Sequence, residues 1–224
     1  MSELQRNVDA LMRQVDRVGL RVQQTVLDAL DALDRRDVEA GMAVSDQDSA
    51  IDAEEVAVEK ECVRLLALYQ PAAVDLRSLC FVIKANNDLE RIADKAASIG
   101  RRVRHLVADG VNLADYPEWR EFVRLVTERL DQTLRAISSR ELDSAQALIT
   151  SDIEAEEAYR KLARHIIARA REAPDGVDMA VTLTLLARSV HRIGELCTNI
   201  AEDIVFVCTG DIVRHDEAQE PGRT

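Results

Sequence analysis

At 224 residues and a net charge of −12, the chain can bury a sizeable core but is too acidic to cover a nucleic-acid backbone. Four prolines, eight glycines and 3% aromatic residues suit a chain made mostly of helix. The N-terminus lacks an apolar signal core, and no run approaches the roughly 20 apolar residues of a bilayer-spanning helix, so a soluble cytoplasmic protein is expected.

The first predicted helix covers 3–36. Leu4, Val8, Leu11, Val15, Val18, Val22, Val26, Leu30 and Leu33 alternate spacings of three and four, as on a helix packed in a bundle. Arg35 and Arg36 close its last turn, where cations suit the helix dipole, and Asp37 is placed to N-cap the next helix. The second helix, 38–69, has the seam Val44, Asp48, Ile51, Glu55, Val58, Cys62, Leu65, Tyr69. Asp48 and Glu55 stand where apolar residues are expected, so they are half exposed or serve a cation. Asp52 lies one turn beyond Asp48.

Gln70-Pro71 breaks the pattern, and a third helix spans 72–109 to Asp109-Gly110. Its seam is Val82, Ala85, Leu89, Ile92, Ala96, Ile99, Val103 and Leu106. It carries Glu90 and Asp94, four apart and so on one face. A fourth helix, 117–138, follows a loop containing Asp115 and starts at Pro117. A fifth, 140–172, has Leu148, Asp152, Ala155, Tyr159, Leu162 and Ile166 on its seam. After a break at Pro174-Asp175-Gly176, a sixth covers 177–209, with Met179, Leu183, Leu186, Val190, Ile193, Cys197, Ile200, Ile204 and Val207 inward. Thr209-Gly210 stops it, and the polar tail from Asp211 is expected to fray.

The six helices form two copies of one unit. Arg91-Ile92-Ala93-Asp94 falls on Arg192-Ile193-Gly194-Glu195 at an offset of 101, and Ala32-Leu33 on Ala136-Ile137 at an offset of 104. The second offset puts Asp48 on Asp152 and Asp52 on Glu156, so an acid interrupts the seam at the same place twice. The expected fold is all-α, with two sequence-related three-helix bundles side by side, at 1–110 and 111–210, and a flexible polar tail at 211–224. The four cysteines show no CxxC spacing and read as small hydrophobes in a reducing compartment.

Each repeat then has a groove with four ligand-capable side chains: Asp48, Asp52, Glu90 and Asp94 in the first, and Asp152, Glu156, His191 and Glu195 in the second. Carboxylates facing one another raise each other's pKa unless a cation intervenes, and hard cations take oxygen ligands. A metal is the economical solution. His191 departs from the acidic pattern; it is a nitrogen ligand or a helix-surface histidine.

These residues resemble the PhoU family of phosphate-signalling accessory proteins. The likeness is carried by Ala73-Val74-Asp75-Leu76-Arg77 and Asn87-Asp88-Leu89-Glu90-Arg91-Ile92-Ala93-Asp94 in the first half. In the second half it is carried by Arg192-Ile193-Gly194-Glu195, Thr198-Asn199-Ile200-Ala201-Glu202-Asp203 and the ending Thr209-Gly210-Asp211 with Arg214-His215. The resemblance implies multinuclear iron or zinc clusters at the paired acidic motifs. It also implies negative control of phosphate uptake and of the starvation response, without enzymatic activity. The implied partners are a phosphate ABC transporter, through its ATPase subunit, and a sensor histidine kinase. Membrane contact would come only through these partners. Heptad faces on the long helices add a homodimer to the expectation.

Two other readings stay open. A carboxylate-bridged di-metal oxidase of the ferritin-like kind would want Glu-x-x-His on two helices, and none of His105, His165, His191 and His215 has a Glu three residues before it. A metal-free helical interaction protein would leave the acidic pairs solvated. The sequence has no Gly-rich phosphate loop and no G-x-S-x-G.

Overall fold

A computed structural model describes residues 2–46, 48–172 and 176–213. The side chains of Asp48, Ser49 and Asp152, the break at Pro174-Asp175 and the stretch from Arg214 and His215 to the end lie outside what is described. Eight α-helices run in chain order among the described residues: α1 Glu3–Asp34, α2 Val38–Asp46, α3 Asp48–Tyr69, α4 Ala73–Ala108, α5 Pro117–Ser139, α6 Leu142–Thr150, α7 Asp152–Glu172 and α8 Val177–Thr209. A 3₁₀ turn, Leu113–Asp115, precedes α5.

The heptad seams are the core. All eight expected seam residues of α4 are completely buried, and so are Val15, Val22, Val58, Cys62 and Leu65 from its neighbours. One hydrophobic cluster runs through both repeats. Helix α4 packs along α1, α2 and α3, while α8 packs along α5, α6 and α7, and the two central helices lie against each other. Their contact contains a buried acid. Asp203, with its side chain 3% exposed, accepts a 2.6 Å bond from Lys84 Nζ. Without a cation or donors a carboxylate so placed would cost several kcal/mol.

The caps explain the boundaries. Ser2 and Gln5 form a reciprocal capping box at α1. Asp37 caps α2 as expected, its carboxylate accepting from the Ala40 N–H at 3.0 Å. Helix α1 ends at Asp34 rather than after Arg36. Arg36 turns left-handed at φ 57°, and the Asp37 N–H closes on the Ala32 carbonyl at 2.9 Å. The two arginines therefore lie past the last turn. Gly110 and Gly210, at φ 65° and 85°, end α4 and α8 in the same left-handed way.

The second expected helix is described as α2 and α3 on either side of residue 47, and the fifth breaks into α6 and α7 at Ser151. At that break the Ser151 hydroxyl donates to the Leu148 carbonyl at 3.0 Å and accepts from Arg129 at 2.9 Å. Asp152 is thus the first residue of a new helix, where an acid suits the dipole. That position supplies a reason for Asp152 besides ligation.

Helices α2 and α4 cross at Gly41 and Gly100. A Cβ on Gly41 would stand 2.6 Å from the Gly100 carbonyl oxygen, and one on Gly100 would press on the Gly41 carbonyl. The repeat register puts Ala145 and Ala201 at these places in the second half, both buried. Gly194, by contrast, has no atom nearer than Val126 Cγ2 at 3.8 Å. Gly100→Ala is expected to destabilise by about 1–3 kcal/mol through overpacking. Gly194→Ala is expected to stabilise by up to about 1 kcal/mol through helix propensity. Denaturant melts of the two variants would show the opposite signs.

Candidate metal centre

The two grooves hold equivalent positions but different chemistry. In the second repeat α7 and α8 bring Glu156, His191 and Glu195 together. His191 Nε2 meets Glu156 Oε2 at 2.6 Å, and its Nδ1 lies 3.6 Å from Glu195 Oε1. The imidazole is 12% exposed and stacks on the Tyr159 ring at 4.3 Å. Three arginines surround the cluster. Arg160 holds Glu156 at 2.6 Å, Arg192 holds Glu195 at 2.9 Å, and Arg188 reaches Glu195 at 3.8 Å and His191 Nδ1 at 3.3 Å. Burial acts to raise the Glu156 carboxyl, but the His191 and Arg160 hydrogen bonds together outweigh it and hold the group below the usual carboxylate range. Of the expected set for this groove, only the Asp152 side chain is outside the described residues.

Behind this cluster sits Arg129 of α5, itself 3% exposed. It donates to Ser151 Oγ at 2.9 Å, Thr198 Oγ1 at 2.7 Å and the Gly194 carbonyl at 3.4 Å. It thus ties α5 to the α6–α7 bend and to α8 on both sides of Glu195. Sequence reasoning missed Arg129. The signal was its place on the apolar face of α5, three residues after Val126.

In the first repeat α3 and α4 run antiparallel. Asn86, wholly buried, donates from Nδ2 to the Glu55 carbonyl at 3.0 Å and so fixes their register. By the repeat offsets Asp52 and Glu90 occupy the places of Glu156 and His191. Asp94 occupies that of Glu195. Glu90 and Asp94 are half-buried on α4, and Asp52 is exposed on α3. Glu90 is engaged in an interaction of its own. Asp52 and Asp94 have no ion-pair partner among the described residues, while Arg91 turns away to Asp88 at 2.9 Å. Burial first, then repulsion from Glu59 and Asp52, raises the Glu55 carboxyl. The Asn86 Oδ1, buried, has no hydrogen-bond partner among the described residues.

Among the described residues no three His, Cys, Asp or Glu side chains stand in a metal-holding arrangement. In the second groove the donors that do converge are consumed by one another and by arginines. In the first, Asp52, Glu90, Asp94 and the Asn86 Oδ1 offer oxygen atoms, the ligand type that hard cations take.

Glu156 gives a pH signature. Its folded value lies below the ordinary 4.5. Its share of stability is therefore present above the unfolded value and lost as pH falls through the folded one. The stability gap between the native chain and Glu156→Gln is expected to be small, widest near neutral pH and closed in acid, as measured by thermal melts across pH.

Comparison with known proteins agrees with the repeat. The PhoU domain matches residues 15–103 and again 120–204. A phosphate-specific transport system accessory protein PhoU homolog from Aquifex aeolicus is 30% identical over 220 residues, covering 98% of this chain and 99% of its own. One of the same description from Pseudomonas aeruginosa is 32% identical over 198 residues, covering 88% and 82%. The crystal structure of PhoU from Pseudomonas aeruginosa superposes with a TM-score of 0.88 at 29% identity, covering 93% of this chain and 100% of that one. That of the phosphate transport system regulatory protein PhoU from Streptococcus pneumoniae gives 0.87 at 25% identity, covering 94% and 99%. Matched twice along its length and superposable in both halves, the chain belongs to the PhoU family.

Proposed function

We propose that this chain is an accessory regulator of phosphate transport. It lowers phosphate uptake and the starvation response by docking on the transporter's ATPase subunit and on a sensor kinase at the cytoplasmic face. The observation that carries this reading is that relatives named as phosphate-specific transport accessory proteins match it over nearly their whole length. The fold is consistent with that role. No helix among the described residues is long and apolar enough to cross a membrane, so contact with the bilayer would come through partners.

The first groove is proposed as the metal centre, with Asp52, Glu90 and Asp94 as ligands; Asp48, the fourth expected ligand, has its side chain outside the described residues. Iron or zinc there would bridge acids on α3 and α4 and clamp the two helices together. In the second groove Arg160, Arg188 and Arg192 already pair with Glu156 and Glu195, so a metal there would compete with counter-charges the chain supplies itself. The working parts are therefore a charged, helical docking body and one ion-dependent seam.

Deletion of the gene should raise uptake of labelled phosphate and switch on starvation reporters in phosphate-replete cells, with the native chain restoring both. Unchanged uptake and unchanged reporters after deletion would sink the proposal.

A further inference from the structure

A cavity of about 520 Å³ lies at one end of the bundle, lined by none of the acids of either groove. The ends of α1 and α4 and the start of α5 enclose it, so both repeats contribute to it. Its floor is apolar: Leu33, Leu106, Val111 and Trp119 line it and are buried. Its mouth is polar, with Arg36 and Arg120 exposed there beside Asp34. The size is within the range of small-molecule sites, as is an apolar wall with few polar groups.

The charge at the mouth has a sign. Neither the Arg36 nor the Arg120 guanidinium makes a hydrogen bond or ion pair among the described residues. Two cations face one acid. Burial pushes the Asp34 carboxyl up, with the Arg120 charge opposing and Asp31 adding to the rise. The backbone leaves that balance as it is. The ends of α1 and α4 would present negative carbonyls, but their chains close on them: the Asp37 N–H bonds the Ala32 carbonyl at 2.9 Å, and the Val111 N–H bonds the Leu106 carbonyl at 3.0 Å. The start of α5 adds little, since Pro117 has no N–H, the Trp119 N–H bonds the Tyr116 carbonyl at 2.9 Å and Glu118 stands in the first turn. The preference for an anion therefore comes from the two guanidiniums against one acid.

We propose that this cavity binds a small amphipathic organic anion, with its apolar body on the Leu33–Trp119 floor and its carboxylate or phosphate head between Arg36 and Arg120. A free inorganic anion would leave the floor wet, and a neutral alcohol would leave the guanidiniums unanswered.

Trp119 is the sole tryptophan, so its fluorescence reports the floor directly. The full chain would be titrated with octanoate, octyl phosphate, octanol and inorganic phosphate, below micelle concentrations, with calorimetry in parallel. At least one amphipathic anion should bind saturably and shift the Trp119 emission; which one does so identifies the head group. Octanol and inorganic phosphate should bind about tenfold more weakly or worse, the scale of a charge-assisted hydrogen bond. Arg120→Ala and Arg36→Asn should weaken the anion by a similar factor; Asn keeps the left-handed backbone at 36. Asp34→Asn should tighten it. The proposal is overturned if neither anion binds in either assay. It is equally overturned if octanol binds as well as the anions, or if the double arginine variant melts as the native chain does and keeps its affinity.

Discussion

Everything in this molecule hangs on the contact between α4 and α8. Each is the inward helix of its own repeat, and the other helices pack around one or both of them. The contact is mostly apolar, but it carries one ion pair that the duplication does not repeat. By the repeat register Lys84 falls on Leu185 and Asp203 on Arg102. Arg102 instead bonds the Ser98 carbonyl of its own helix at 3.1 Å. Any slide between the repeats would strip Lys84 from the buried Asp203, which a seam of leucines and valines alone would not resist. The Arg77 bond to the Val207 carbonyl, at 3.2 Å, adds a second tie at one end of α8.

On that frame the two copies have diverged in charge rather than in shape. The same helix pair and the same register bring equivalent side chains to each groove. In one they are acids, Asp52, Glu90 and Asp94. In the other, His191 replaces an acid and arginines take up the remaining carboxylates. A cluster that supplies its own counter-charges folds without help. One that does not gains stability from whatever cation it binds, since a ligand bound only by the folded state stabilises that state. The proposed division of labour, a structural second repeat and an ion-dependent first one, follows from this difference.

The helical seams were legible because a three-four rhythm sustained along a whole segment fits a one-sided helix and not a strand, whose side chains alternate in twos. Val82 to Leu106 on the α4 seam are buried without exception. The repeat was legible because Arg91-Ile92-Ala93-Asp94 and its partner are short, charged and apolar in the same order. The break at Ser151 was not, because no Pro or Gly marks it; a serine hydroxyl and a buried arginine from another helix make it. Long-range pairing of that kind leaves no local trace. The same holds for the arginine cage: Arg160, Arg188 and Arg192 read as solvated charges on their own helices, and only the fold shows which carboxylates they neutralise. Glu55 was legible as a misplaced acid, but the Asn86 bond beside it was not.

The most direct test of the divergence is a metal count on the purified native chain by mass spectrometry, beside two variants, Glu90→Ala/Asp94→Ala and His191→Ala/Glu195→Ala. Iron or zinc is expected in the native chain, with nearly all of it lost in the first variant and retained in the second. Metal that survives the first variant and vanishes with the second, or no metal in the native chain at all, would contradict an ion-dependent first repeat.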